Sequence, residues 1–168
     1  MDEAQFWAII ESGGPEALDA DDRKSAAIRE ELSKLLPQGL IDFDRLFDRK
    51  MADAYRWDLW GAAYLINGGC SDDGFCYFRA WLISRGRAVY SAALENPDSL
   101  AGIVDPECDG YEFEELWYTP RRVYGEMTGE EMPAAMSLEP AVPSGEDWDF
   151  EDDEQVSRRL PRLAGLYL

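Results

Sequence analysis

The residues best equipped for chemistry lie in one stretch: Gly68-Gly69-Cys70-Ser71-Asp72-Asp73-Gly74-Phe75-Cys76-Tyr77-Phe78-Arg79. It carries a hydroxyl, two adjacent carboxylates, two thiols and a guanidinium, and Trp57 and Trp60 stand just before it. Two chemistries suit that set. Ser71, Asp72, Asp73 and Arg79 beside Trp60 are equipped to hold a polar or cationic ligand, and paired carboxylates are equipped for acid–base work. Each residue also has an architectural use. Gly68 or Gly69 ends one helix in the left-handed conformation, Ser71 or Asp72 caps the next, and Asp73 suits its positive end. Phe75, Phe78 and Leu82 then anchor that helix in a core. A cap requires only one oxygen acceptor, so the second carboxylate is expected to have either Arg79 or an external cation as its partner. Trp60, Ser71, Asp72, Asp73 and Arg79 are therefore the candidate binding residues, and no catalytic residue is assigned.

Other chemistries lack their parts. The chain has no histidine, which removes Ser-His-Asp triads, Cys-His dyads and HExxH zinc sites together. Cys70, Cys76 and Cys108 are an odd number without a CxxC pair, and nothing in their neighbourhood argues for a lowered thiol pKa. Neither a GxxxxGK[ST] loop nor a GxGxxG turn after a strand occurs. The pairs Asp42/Asp44 and Asp147/Asp149 are DxD spacings, yet on a helix residues two apart diverge. Asp72-Asp73-Gly74 lacks the spacing of a calcium loop. The expectation is no metal site and no cofactor.

Charge sets the choice of partner. Sixteen basic residues stand against 35 acidic ones, a net charge of −19. The stretch 40–100 is close to neutral and rich in aromatics, whereas both flanks are acidic. Such a surface repels phosphate backbones and anionic lipid, and suits a basic protein. No apolar run is long enough to span a bilayer, and the acidic start Met1-Asp2-Glu3 is unlike a secretory leader. With reduced thiols, these features indicate a cytoplasmic protein without direct contact to nucleic acid or membrane, and a monomer is favoured.

The supporting elements read as helices. Apolar stripes at helical spacing predict helices at roughly 2–11, 20–36, 40–54, 57–67, 72–84, 87–95 and 112–127. The second has Ala26, Ile28, Leu32, Leu35 and Leu36 on its apolar side, Asp19 to Asp22 as caps, and Pro37 as its stop. The third has Leu40, Phe43, Leu46, Phe47, Met51 and Ala54 inward, with Asp42, Asp44, Asp48, Asp53, Arg45, Arg49 and Lys50 as its solvent face. Residues 99–110 read as a loop, and Pro120 as a kink or restart. No alternation of period two occurs, so the predicted class is all-α. Composition divides the chain into a helical domain over 1–130 and a proline-containing linker with an acidic tail over 131–168. The prolines and the acidic run 146–154 predict a loosely ordered extension, onto which Trp148, Phe150, Leu160 and Leu163 are able to dock.

The string from Tyr55-Arg56-Trp57-Asp58-Leu59-Trp60-Gly61 through Gly68-Gly69-Cys70-Ser71-Asp72-Asp73-Gly74-Phe75 to Phe78-Arg79-Ala80-Trp81 resembles the bacterial family catalogued as domain of unknown function 4240. Phe6-Trp7, Asn96-Pro97-Asp98-Ser99-Leu100 and Thr128-Gly129 fit the same pattern, over roughly residues 1–130. The resemblance implies a compact helical domain and brings no activity, substrate or cofactor. The residues themselves point to a non-enzymatic binding or regulatory domain for another protein, in sharper form a neutralising partner (immunity protein or nucleic-acid mimic) of a basic protein. The alternatives are a carboxylate-dependent enzyme or a small-ligand sensor built on 57–83.

Overall fold

The computed structural model describes residues 1–12, 14, 21–108, 110–134 and 138–168. Helices follow one another along the chain: α1 (Glu3–Glu11), α2 (Asp21–Ser33), α3 (Pro37–Asp53), α4 (Trp57–Ile66), α5 (Asp72–Ser84) and α6 (Arg87–Glu95). A 3-10 helix (Pro97–Gly102), α7 (Glu114–Thr128), α8 (Asp153–Arg159) and α9 (Pro161–Tyr167) complete the order. Among the described residues there is no strand, only an isolated parallel bridge between Arg56 and Ser144. The fold is all-α. None of these helices is long and apolar enough to cross a membrane.

The stripes explain the packing. Helix α3 buries Leu40, Phe43, Phe47 and Met51, and α5 buries Phe75, Phe78, Trp81 and Leu82. Both pack on α7, which turns Leu116, Val123 and Tyr124 inward. Local chemistry sets the ends. Asp2 and Gln5 form a reciprocal capping box on α1, and Gly129 closes α7 at φ 75°, where a side chain would be strained.

Several local expectations are corrected. Pro37 begins α3 at its first turn, where a missing N–H costs nothing, instead of merely ending α2. Pro120 lies inside α7 without dividing it. Residues 97–102 wind into a 3-10 helix capped by the Asn96 side chain, which accepts from the Asp98 N–H at 3.2 Å. On α2, Ala26 faces solvent while Ile28 and Leu32 are buried, and Leu36, exposed, lies beyond the end of α2 as the N-cap residue of α3. The caps expected at 19–20 lie outside the described residues. The polar face assigned to α3 is not wholly exposed, for Asp44 and Lys50 are buried. Lys50 pairs with Glu3, and Asp44 faces Arg121 of α7 at 3.3 Å.

The largest difference concerns the C-terminal residues. Trp148, Leu160 and Leu163 dock as expected and, with Val156 and Ala164, are buried in the same core as α1–α7, so the segment that carries them is packed, not loosely ordered. Three contacts hold them. Trp148 presses on Gly61 so closely that a Cβ there would stand 2.1 Å from its ring. Ser144 exchanges backbone hydrogen bonds with the 55–57 connection, receiving from Trp57 N at 3.0 Å and donating to Tyr55 O at 2.9 Å. The buried Asp98 carboxylate accepts from Arg162 N at 3.0 Å and Leu163 N at 2.9 Å. It thereby caps α9 from a distant element. The acids of the run stay outside while Trp148 and Phe150, two apart, turn inward.

Candidate functional site

Helix α4 ends at Ile66, and Gly68 and Gly69 take φ 65° and 129° to reverse the chain. Gly69 N–H returns to Tyr64 O at 2.8 Å, satisfying one of the last carbonyls of α4. The chain then enters α5 through Ser71, whose Oγ accepts from Gly74 N–H at 3.2 Å. Ser71 is the cap. Asp72 and Asp73 occupy the first turn, exposed, and neither has a hydrogen-bond or ion-pair partner among the described residues. Glu112, also exposed, reaches the same turn, its Oε1 lying 3.2 Å from where a Cβ on Gly74 would be.

Trp60 joins this turn to an aromatic face. Its Nε1 donates to Cys70 O at 3.1 Å. Its ring stacks on the buried Phe75 at 4.8 Å and on Trp57 at 5.7 Å. Phe150 from the C-terminal segment adds contacts to Trp57, Trp60 and Tyr64 at 6.1, 6.4 and 5.7 Å. The Tyr64 hydroxyl donates to Glu151 at 2.9 Å. Trp57, Trp60, Tyr64 and Phe150 are all half-buried, so their edges and part of their faces meet solvent. The result is a half-buried aromatic cluster joined to the 70–73 turn through Trp60 and to Glu151 through Tyr64.

Arg79 is not part of that patch. It is buried, and its Nη1 donates to Met51 O at 2.8 Å and to Glu139 at 2.5 Å. Of the two partners considered for the second carboxylate, Arg79 is therefore removed. Four of the five candidates converge on the turn; the fifth points into the core. Sequence reasoning also missed Tyr64, Glu112, Phe150 and Glu151 as members of the patch. For Phe150 a signal was present, since Trp148 and Phe150 are the only apolar residues in an otherwise acidic run.

The thiols are poor nucleophiles. Burial pushes Cys70 up to about 12, with Glu112 adding to the effect. Burial also raises Cys76, and outweighs the Arg79 guanidinium 3.1 Å from its sulfur. Desolvation likewise raises Asp44 and Asp48 above the usual carboxylate range, against the pull of Arg121. This chemistry is not that of an activated thiol or a nucleophile–base pair.

The fold and this patch define an all-α domain with an acidic, aromatic surface and no assembled catalytic set among the described residues. The chain belongs to the family described as protein of unknown function (DUF4240), whose model matches residues 1–126. No curated protein and no solved structure matches it. Trp57, Trp60, Ser71, Asp72, Asp73 and Arg79 fall within the matched residues; Phe150 and Glu151 follow them.

Proposed function

We propose that this domain binds a basic segment of another protein at the α4–α5 turn and the aromatic patch beside it, and acts through that binding. The observation that carries the reading is the pair of exposed carboxylates, Asp72 and Asp73, without hydrogen-bond or ion-pair partners among the described residues, on the turn whose Cys70 carbonyl accepts from the half-buried Trp60. A lysine or arginine side chain answers both features. Its charge pairs with the carboxylates, and its cationic head or stem lies over the outer ring of the stack, Trp57. The net charge of −19 adds long-range attraction, which speeds encounter and selects basic partners. In the sharper form of the proposal the partner is a basic toxin or nucleic-acid-binding protein, whose cationic surface the domain covers.

A lysine- and arginine-rich peptide, titrated while tryptophan fluorescence is followed, tests the reading. The expected result is a saturable change whose affinity falls steeply with added salt, since exposed charge pairs are screened beyond about 8 Å at physiological ionic strength. Binding that ignores salt, or an acidic peptide that binds equally well, would sink it.

A further inference from the structure

We propose that the cleft beside the Arg79–Glu139 pair is a receptor for a small organic monocarboxylate, and that Glu139, which lines it, covers Arg79 as a displaceable internal ligand. This does not rest on the basic-partner reading, which uses Asp72, Asp73 and Trp57.

The receptor is already built. The Arg79 guanidinium lies against the rings of Tyr55 and Phe75, 4.8 and 4.9 Å from their centroids. Its Nε contacts Phe75 O at 3.4 Å, Nη1 donates to Met51 O at 2.8 Å, and Nη2 reaches the Cys76 sulfur at 3.1 Å. Every side of the group is fixed by helices or by the α3–α4 connection. A buried cation held so firmly requires an anion, and the anion it has is the Glu139 carboxylate at 2.5 Å.

That anion is held differently from everything around it. Arg79 is 1% exposed, whereas the Glu139 side chain is 37% exposed. Glu139 lies on a segment without helix or strand whose neighbours Leu138 and Val142 are themselves exposed, and whose next anchors are the buried Pro143 and the hydrogen-bonded Ser144. Arg79 falls inside the family match over 1–126, and Glu139 outside it. The cation thus belongs to the packed domain, and its counter-ion to a lightly held strap.

Next to the pair an open cleft of about 240 Å³ is lined by Met51, Cys76, Trp117 and Leu138, with Asp48 and Arg121 at its polar side. Local charge fixes the ligand class. Arg79 and Arg121 face Asp44, Asp48 and Glu139. Exchanging the Glu139 carboxylate for one free carboxylate leaves that balance unchanged, while a phosphate dianion would place extra negative charge beside Asp48. Met51, Trp117 and Leu138 supply an apolar wall for the body of the ligand. A tethered carboxylate competes at a high effective concentration, so removal of Glu139 should reveal tighter binding.

The test uses the full chain, with phenylacetate as the probe and alkylation of each cysteine followed by mass spectrometry. Cys76 lines the cleft, while Cys70 and Cys108 do not and serve as internal references. Phenylacetate should slow alkylation of Cys76 in a saturable way, and chloride at equal ionic strength should not. Glu139→Ala should lower the half-protecting concentration roughly tenfold, the worth of one lost charge-assisted competitor. A thermal melt shows that the variant is folded, and phenylacetate should raise its melting temperature more than that of the parent chain. Equal half-protection in the two proteins would overturn the proposal. So would protection of all three thiols alike, or no saturation in Glu139→Ala by about 100 mM, a hundredfold above millimolar affinity.

Discussion

Ser71, Asp72 and Asp73 are neighbours with separable roles. Ser71 Oγ accepts from Gly74 N–H, so Ser71→Ala should lose about 1 kcal/mol of stability in a urea titration. Asp72→Asn and Asp73→Asn remove only a charge near the helix dipole, a loss of about 0.3–1 kcal/mol each at low salt. Salt should shrink that loss and leave the Ser71→Ala effect intact. Asp44 behaves oppositely to an ordinary ion-paired acid. Burial, the largest influence, raises its folded pKa above the ordinary aspartate value. Between the two values the folded chain binds more protons than the unfolded one, so this group makes stability fall as pH rises through the window. Relative to Asp44→Asn, the parent chain should therefore lose stability as pH is raised from the ordinary aspartate pKa, about 4, up through the raised folded value. A difference between the two that is flat, or grows the other way, would show that Arg121 compensates the carboxylate fully.

The helices of the first 128 residues were legible because their apolar positions recur at three and four residues and their ends carry glycine, proline and short polar caps. The cap at Ser71 and the stop at Gly129 are examples. What could not be read were contacts between distant elements. Asp98 looks like an ordinary turn residue, and only the fold shows it capping α9 through Arg162 and Leu163. Gly61 looks like a weak point in α4, and only the approach of Trp148 explains it. Arg79 was misplaced for a related reason. Charge in the sequence suggests the surface, whereas Met51 O, Cys76 and Glu139 come from three separate segments to receive it. Gly61→Ala tests the docking with a change of sign. If the C-terminal residues were loosely attached, alanine would stabilise α4 by about 1 kcal/mol. Because Trp148 fills that space, the substitution should instead destabilise by about 1–3 kcal/mol and speed proteolysis between 130 and 168. Asp98→Ala should do the same by about 1–2 kcal/mol through the lost cap.

At the scale of the whole molecule, one core takes side chains from both sides of residue 130. Buried Trp148, Val156, Leu160 and Leu163 would each add roughly 1.5–3 kcal/mol by leaving water, so the composition change after residue 130 marks a change of chain character more than a break in packing. Most of the prolines and acids that signalled disorder lie at the surface, whereas Pro143 is buried, and the few apolar residues between them suffice to anchor the segment. That anchoring brings Phe150 and Glu151 to the aromatic patch and Glu139 to Arg79. Charge is spread over the exterior, and at the α4–α5 turn two unpartnered carboxylates open the helix whose Phe75 stacks on Trp60. The measurement that reaches this point most directly compares the parent chain with the Asp72→Asn, Asp73→Asn double variant in titrations with one lysine- and arginine-rich peptide. Stability of both is measured alongside, so that affinity refers to folded molecules. The prediction is at least a tenfold loss of affinity, about 1.4 kcal/mol, with a weaker salt dependence and the aromatic core still folded. Equal affinity and an unchanged salt slope in the double variant would contradict the account, and would leave the turn as a helix junction alone.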